Sequence, residues 1–317
     1  MTARGQSLMP RGVEPPADMY DSILVPTDGS DHARRAAEHA GLLARRFDAT
    51  VHLLAVVDVQ AAAGPFGAGG VDSGFVDRLE TTAEESLDAV ERAVGEAATR
   101  REVLEGEPGE VILDYARNQR VDLVAMGTHG RTGVRRYVAG SVTERVVQGT
   151  EAPVLVVHAE DPLLESVYDD ILLATDGSDP ADAAVDHGLS LAAATGARVH
   201  ALSLVDLGGV GAGAEDAPVL ELRDYLQQAA EGAVADVADR AAAADVEAVT
   251  EVRDGEPVSG LLDYADEQGV DLLVVGTHGR RGVDRLLLGS TTERLLRRAE
   301  RPVLAVHDVE TPAGGIE

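Results

Sequence analysis

Apolar and polar positions fall in blocks along this chain, and the block lengths predict the elements. Ile23 to Pro26 is a short apolar run closed by a turn signal, as expected of a buried strand. From Asp31 to Phe47, apolar Ala36, Ala37, Ala40, Leu43 and Ala44 recur at helical spacing, and Thr50 to Val57 returns to a β-branched, strand-like run. Val76 to Glu96 predicts a second helix and Glu102 to Glu105 a short strand. Pro108 to Gln119 predicts a third helix with its proline in the first turn, where a missing N–H costs nothing. Val121 to Met126, Ser141 to Gly149 and Val154 to Val157 complete the series as strand, helix and strand. Strands alternating with helices that must cross back over the sheet call for a parallel, doubly wound α/β layer.

The pattern then repeats. Ser22-Ile-Leu-Val-Pro-Thr-Asp-Gly-Ser30 returns as Asp170-Ile-Leu-Leu-Ala-Thr-Asp-Gly-Ser178, and Asp122-Leu-Val-Ala-Met-Gly-Thr-His-Gly-Arg131 as Asp271-Leu-Leu-Val-Val-Gly-Thr-His-Gly-Arg280. Ala152-Pro-Val-Leu-Val-Val-His158 returns as Arg301-Pro-Val-Leu-Ala-Val-His307. One near-constant offset over the whole span means duplicated domains, whereas a solenoid would repeat every 20 to 50 residues. We read a tail over 1–18, a first domain over 19–160, a second over 166–309 and a short tail over 310–317. Residues 1–18 have no apolar segment of the kind a signal peptide needs. Gln60 to Gly74 and Gly208 to Gly213 are rich in alanine and glycine, and predict mobile loops, either lids over a ligand or plain connectors.

Composition narrows the partners. The 317 residues carry 56 Asp and Glu against 27 basic residues, all arginine, for a formal net charge of -29. Such a surface argues against tracking a nucleic-acid backbone, and 3% aromatic residues leave few platforms for base stacking. With no cysteine there is no disulfide and no thiolate chemistry. A hydrophobic fraction of 44% is ample for a core, so the acidity does not signal disorder. The lysine-free, acidic composition resembles that of proteins from halophiles that accumulate salt, haloarchaea among them. The longest apolar runs, such as Leu272 to Val275, are strand-sized and far short of the ~20 residues that span a bilayer. The expectation is a cytoplasmic protein without a membrane partner.

The densest chemistry follows the fourth strand of each repeat. Gly127-Thr-His-Gly130, nine residues, then Gly140-Ser141 leads into a helix, and Gly276-Thr-His-Gly279 and Gly289-Ser290 repeat the spacing. Glycine lets the backbone come within hydrogen-bond reach of an anion, and a helix start supplies unpaired N–H groups and a positive dipole end. The pattern is neither the Gly-Lys-Ser/Thr phosphate loop nor Gly-x-Gly-x-x-Gly. Arg131, Arg135 and Arg136, with Arg280, Arg281 and Arg285 in the second copy, either shape the field for phosphate or offset nearby carboxylates. Two copies on the strand-to-helix connection, where open α/β sheets bind ligands, strengthen the phosphate reading.

The Gly-x2-Gly-x9-Gly-Ser loop, the Pro-Thr-Asp-Gly-Ser end of the first strand and the Ala-Pro-Val-Leu-Val-Val final strand together resemble the universal stress protein family in a tandem form. The resemblance covers residues 20–158 and 169–308. It implies, for each repeat, a five-stranded parallel sheet of order 3-2-1-4-5 with helices on both faces. It further implies an adenine nucleotide, ATP or else ADP or AMP, with Mg²⁺, at the carboxyl ends of strands 1 and 4. Carried over by position, Asp28 and Asp176 would contact the ribose or adenine side, the alternative being a turn or helix-capping role. Val56 and Leu204 match the place where adenine is wedged, with Met126 and Val275 as candidate walls against a plain core role. Gly127, Gly130, Gly140 and Ser141, and Gly276, Gly279, Gly289 and Ser290, would hold phosphates. Thr143 and Thr292 would add a hydroxyl or face solvent.

His129 and His278 have no matched nucleophile or orienting partner in the sequence, and read as shaping the loop. His158 and His307 read as isolated strand-end histidines. No dedicated protein metal site is legible, so Mg²⁺ would be held chiefly by phosphates and water. The apolar final strands, Val154 to Val157 and Val303 to Val306, need cover, which predicts an intramolecular pseudo-dimer joined edge to edge, with a dimer of such chains also open. Besides the nucleotide-binding module, a slow ATPase and a scaffold that keeps the glycines only for turn geometry remain as alternatives.

Overall fold

A computed structural model describes residues 19–63, 73–128, 140–161, 167–207, 217–277 and 288–307. The tail over 1–18, most of the two Ala/Gly-rich loops, and the residues between Thr128 and Gly140 and between Thr277 and Leu288 lie outside them.

In the first repeat, β1 (Ser22–Thr27) leads to α1 (Asp31–Phe47) and β2 (Thr50–Val57), then α2 (Val59–Ala63), α3 (Ser73–Val94) and β3 (Thr99–Glu105). It closes with α4 (Pro108–Gln119), β4 (Leu123–Gly127), α5 (Ser141–Gly149) and β5 (Val154–Val157). The second repeat runs β6 (Asp170–Ala174), α6 (Asp179–Thr195), β7 (Arg198–Val205), α7 (Ala217–Ala243) and β8 (Ala248–Asp254). It ends with α8 (Pro257–Gln268), β9 (Leu272–Gly276), α9 (Ser290–Arg298) and β10 (Val303–Val306).

Local chemistry accounts for most boundaries. The Ser30 hydroxyl accepts from the Ala33 N–H to start α1, Arg45 and Arg46 meet the negative end of its dipole, and Asp48 in the left-handed region ends it. The Glu107 carboxylate accepts from the Gly109 and Glu110 amides ahead of α4, and Glu256 accepts from Ser259 ahead of α8. The α3, β4 and β1 boundaries shift by one to three residues from the sequence reading, and two larger differences have a local cause. Val59 to Ala63 is helical rather than loop, because the Asp58 carboxylate accepts from the Ala61 N–H at 2.8 Å and alanine is the best helix former. β3 begins at Thr99, not Glu102, because Arg100 and Arg101 lie on an outer strand where long charged side chains reach water.

All strands form one sheet of ten in the order β3-β2-β1-β4-β5-β10-β9-β6-β7-β8. Each half has the expected 3-2-1-4-5 order with parallel pairing. The halves meet where β5 and β10 run antiparallel, Leu155 opposite Leu304 and Val156 opposite Val303. That pairing covers both apolar final strands. α1 and α3, with α6 and α7, pack one face around Ala36, Ala40, Leu87, Val185 and Val237, while α4, α5, α8 and α9 pack the other around Ile112, Val146, Leu261 and Leu295.

The junction carries a reciprocal exchange. Tyr20 Oη of the first repeat lies 2.6 Å from His187 Nε2 of the second, and the equivalent pair with repeats swapped, His39 Nδ1 and Tyr168 Oη, is 3.2 Å apart. Burial pushes both histidines down to about 4, with Asp161 and Arg35 acting as smaller and opposed influences on His39. It also pushes both phenols up.

Candidate functional site

β1 and β4 are neighbours, Ile23 opposite Leu123, yet the helices that follow them pack on opposite faces of the sheet. Their connections therefore diverge and leave a crevice at the carboxyl ends of the strands, the place where open α/β sheets bind ligands. β6 and β9 repeat this arrangement.

The first wall is the turn after β1. Gly29 sits at φ 78°, where a side chain would be strained, and its N–H donates to Thr27 Oγ1 at 3.0 Å. The Ser30 N–H donates to Asp28 Oδ1 at 3.0 Å. The second repeat builds the same turn with Gly177 at φ 70°, Thr175 and Asp176. One carboxylate oxygen of Asp28 and of Asp176 thus braces its own turn, and each carboxylate is held at the crevice by that bond. The copies diverge at the next residue: Ser30 caps α1, whereas the Ser178 hydroxyl donates to Asp176 at 2.6 Å and caps nothing.

The opposite wall starts at Gly127. A Cβ there would lie 2.5 Å from His32 Cβ and 2.9 Å from the Ala33 nitrogen, so only glycine lets the end of β4 meet the first turn of α1. Thr128, fully buried, donates its N–H to the Val157 carbonyl, and its own carbonyl accepts from the Gly140 N–H at 2.6 Å. Thr277 and Gly289 form the matching bond at 2.8 Å. The loop over 129–139 therefore leaves and returns through one hydrogen bond, and so does the loop over 278–288. His129, Gly130, Arg131, Arg135 and Arg136, and His278, Gly279, Arg280, Arg281 and Arg285, lie outside the described residues.

α5 and α9 start directly at those hydrogen bonds. Gly140 and Gly289 occupy the cap position in extended backbone, φ near -60°, and neither helix has a side-chain cap. Ser141 and Ser290 follow, both exposed. A helix start whose first amides have no capping side chain presents N–H donors and the positive end of its dipole to the crevice. An anion satisfies both.

Several of the residues carried over by position have partners of their own in the fold. Thr143 and Thr292 are buried and do not face solvent; each hydroxyl donates to the last carbonyl of the preceding strand, Gly127 at 2.8 Å and Gly276 at 2.7 Å. They fasten the cradle helix to the strand end. Met126 and Val275, 5% and 4% exposed, belong to the core beneath the crevice. Val56 and Leu204 are half-buried at the ends of β2 and β7, and Leu204 additionally leans on Gly260 of α8. Among the described residues no group of three or more histidines and carboxylates is placed to hold a metal ion.

Two histidines matter here: His32, which sequence reasoning passed over, and His307, which it read as an isolated strand-end residue. His32 Nδ1 accepts from the Ala159 N–H at 3.0 Å and lies 3.2 Å from Thr128 Oγ1, pinning the loop entrance. The second repeat has Pro180 there, and Thr277 turns instead to His307 Nδ1, also at 3.2 Å. Only the long-range packing of the strand ends on α1 reveals these partners, so the sequence held no signal for them.

Comparison with known proteins agrees with the duplication. A model of the universal stress protein family matches residues 19–158 and 168–307. A universal stress protein of Methanocaldococcus jannaschii is 39% identical over 142 residues, 44% of this chain and 83% of that protein. One from Mycolicibacterium smegmatis is 28% identical over 303 residues, 90% of this chain and 96% of its own. The crystal structure of a universal stress protein from Archaeoglobus fulgidus superposes with a TM-score of 0.62 at 22% identity, covering 92% of this chain and 98% of that one.

Proposed function

The chain belongs to the universal stress protein family, and on that premise we propose that each repeat binds one adenine nucleotide, ATP with a divalent cation, as a stress-response binding module. The observation that carries this is the pair of glycine-capped helix starts, Gly140-Ser141 and Gly289-Ser290, each without a side-chain cap and each set beside an Asp-Gly-Ser turn. The amides of α5 and α9 would take the phosphates, and Asp28 and Asp176 the ribose hydroxyls through their carboxylates. Val56 and Leu204 offer apolar surface at the strand ends for a base. With no metal-ligating cluster among the described residues, Mg²⁺ would be held by phosphate oxygens and water, which suits a cation that sheds its waters reluctantly. The acidic, lysine-free surface supports work in concentrated salt.

Hydrolysis is a weaker reading, because among the described residues no side chain at the crevice forms the paired base and orienter that water activation requires. The scaffold reading draws on Gly127, whose close approach to His32 is reason enough for that glycine, but it leaves the uncapped helix starts unexplained.

Heating the purified protein in high salt with and without Mg-ATP tests the proposal. Ligand at 100 times its dissociation constant should add about 2.7 kcal/mol per site. Mass spectrometry of nucleotide carried through purification identifies the occupant, and phosphate release in the same samples reports hydrolysis. No shift with any adenine nucleotide would overturn the reading.

A further inference from the structure

We infer that the two nucleotide sites are coupled across the repeat junction, and that His307 carries the coupling from the second loop to the first cradle helix. The inference rests on the nucleotide-binding reading above. His307 ends β10, and its Nε2 lies 2.6 Å from the carbonyl oxygen of Val147 in α5, while its Nδ1 lies 3.2 Å from Thr277 Oγ1. A carbonyl can only accept, so Nε2 carries the proton and, in the neutral ring, Nδ1 accepts from the threonine hydroxyl. The direction of every bond in the path Thr277, His307, Val147 is therefore fixed.

Both ends of this path reach a cradle. The Thr277 carbonyl accepts the Gly289 N–H that closes the entrance of the second loop, and Thr277 is fully buried, so it cannot shift without moving that entrance. Val147 lies in the last turn of α5, where carbonyls outrun the helix's own amides. His307 supplies one of those carbonyls with a donor from the other repeat. α5 spans only Ser141–Gly149, about 13 Å at 1.5 Å per residue, so it moves as one body, and a pull at Val147 reaches the amides beside Gly140.

The reverse path is missing. His158 is the equivalent residue of the first repeat, yet neither ring nitrogen has a hydrogen-bond partner among the described residues; Nδ1 lies 3.8 Å from Asp161 Oδ1, and nothing from α9 hydrogen-bonds the ring there. Its backbone N–H donates instead to Asp161 Oδ2 at 2.7 Å, in the connection between repeats. The first loop entrance is pinned by His32 within its own repeat. Filling the second site should therefore order Thr277 and His307 and tighten the first. The coupling is reciprocal in free energy although its bonds are one-sided in structure.

The test is a set of calorimetric titrations with Mg-ATP at low salt, where an aspartate at either cap position silences its own site. Gly140→Asp and Gly289→Asp chains give the two single-site affinities. The overall two-nucleotide affinity of the wild-type chain divided by their product is the coupling factor. We expect at least fivefold in the wild-type chain, at the lower end of typical couplings. It should fall below twofold in His307→Phe, and also in Thr277→Val, which removes one hydroxyl while keeping the bond to Val147. His158→Phe, which deletes no hydrogen bond among the described residues and only a 3.8 Å contact with nearby Asp161, should leave the factor unchanged. A factor within twofold of one in the wild-type chain, or a factor that survives both His307→Phe and Thr277→Val, overturns the inference while leaving nucleotide binding intact. Absence of binding in the wild-type chain overturns the nucleotide reading and the coupling together.

Discussion

Replacing Gly140 by aspartate separates the two uses of the glycine at the start of α5. Its backbone, φ -61° and ψ 142°, lies in the extended region that any residue adopts, so the substitution introduces no backbone strain. Aspartate is a better helix cap than glycine by a few tenths of a kcal/mol, and its charge favours the helix dipole by about 0.3–1 kcal/mol. The unliganded chain should therefore be as stable as wild type or up to about 1 kcal/mol more stable in urea unfolding at high salt. Nucleotide binding should change in the opposite sense. A carboxylate about 4 Å from a phosphate charge costs about 4 kcal/mol at an effective dielectric constant near 20, roughly a thousandfold in affinity. Salt divides this into parts. At 1 M the screening length is about 3 Å, so most of the repulsion fades, but an amide already bonded to the aspartate stays lost to phosphate at about 1.5–3 kcal/mol. Calorimetric titration across a salt series should show stoichiometry falling from two to one at low salt, then a weak first site that improves with salt without reaching wild type. A variant that binds two nucleotides with unchanged affinity would refute the placement of phosphate at α5, and one destabilised by more than about 1 kcal/mol would refute the backbone argument.

His39 and His187 titrate near 4 when folded and near 6.5 when unfolded, so the unfolded state binds more protons between those values, and stability is lost as pH falls from about 6.5 to 4. The loss is about 3 kcal/mol for the fully buried His39 and less for the partly exposed His187; parallel pH profiles for wild type and a His39→Gln, His187→Gln chain would count against it. Gly127→Ala should destabilise by about 1–3 kcal/mol, because its Cβ meets His32 and the Ala33 backbone nitrogen. Gly232→Ala, where nothing lies within 4 Å in the interior of α7, should stabilise by about 0.5–1 kcal/mol; matching signs in thermal melts would be the wrong result. Residues 161–317 hold 11 arginines against 31 carboxylates, whereas the first 160 hold 16 against 25. The second site should therefore bind more weakly at low salt, the gap narrowing as salt rises. Equal low-salt affinities in the two single-site chains would dispose of that idea.

Sequence periodicity captured what local forces decide. α1, β2, α4, α5 and β5 begin and end where the reading placed them, because caps, a first-turn proline and block length act within a few residues. The parallel order came from alternation of strand and helix together with the family resemblance, and the duplication from self-similarity. The errors lie where a distant neighbour decides. Arg100 and Arg101 look like loop residues until β2 pairs with them. Thr143 looks exposed on a helix start until Gly127, sixteen residues earlier, accepts its hydroxyl. His307 looks idle until α5 of the other repeat presents a carbonyl. Such contacts have no signature in any window of the chain.

The antiparallel seam of β5 and β10 bears on what this molecule is free to become. In an assembly of two identical chains joined at such a seam, symmetry copies every substitution to both sides, so a change that improves one half must be tolerated by the other. Here the halves are covalently one chain, and each position can be altered singly. His32 against Pro180, Ser30 capping its helix against Ser178 bonded to Asp176, and a His307 ring bonded across the junction where the His158 ring has no hydrogen-bond partner among the described residues are differences that no symmetric pair could hold. Fusion also keeps the partner present at any dilution. The two halves can thus diverge position by position, and neither ever has to find its mate.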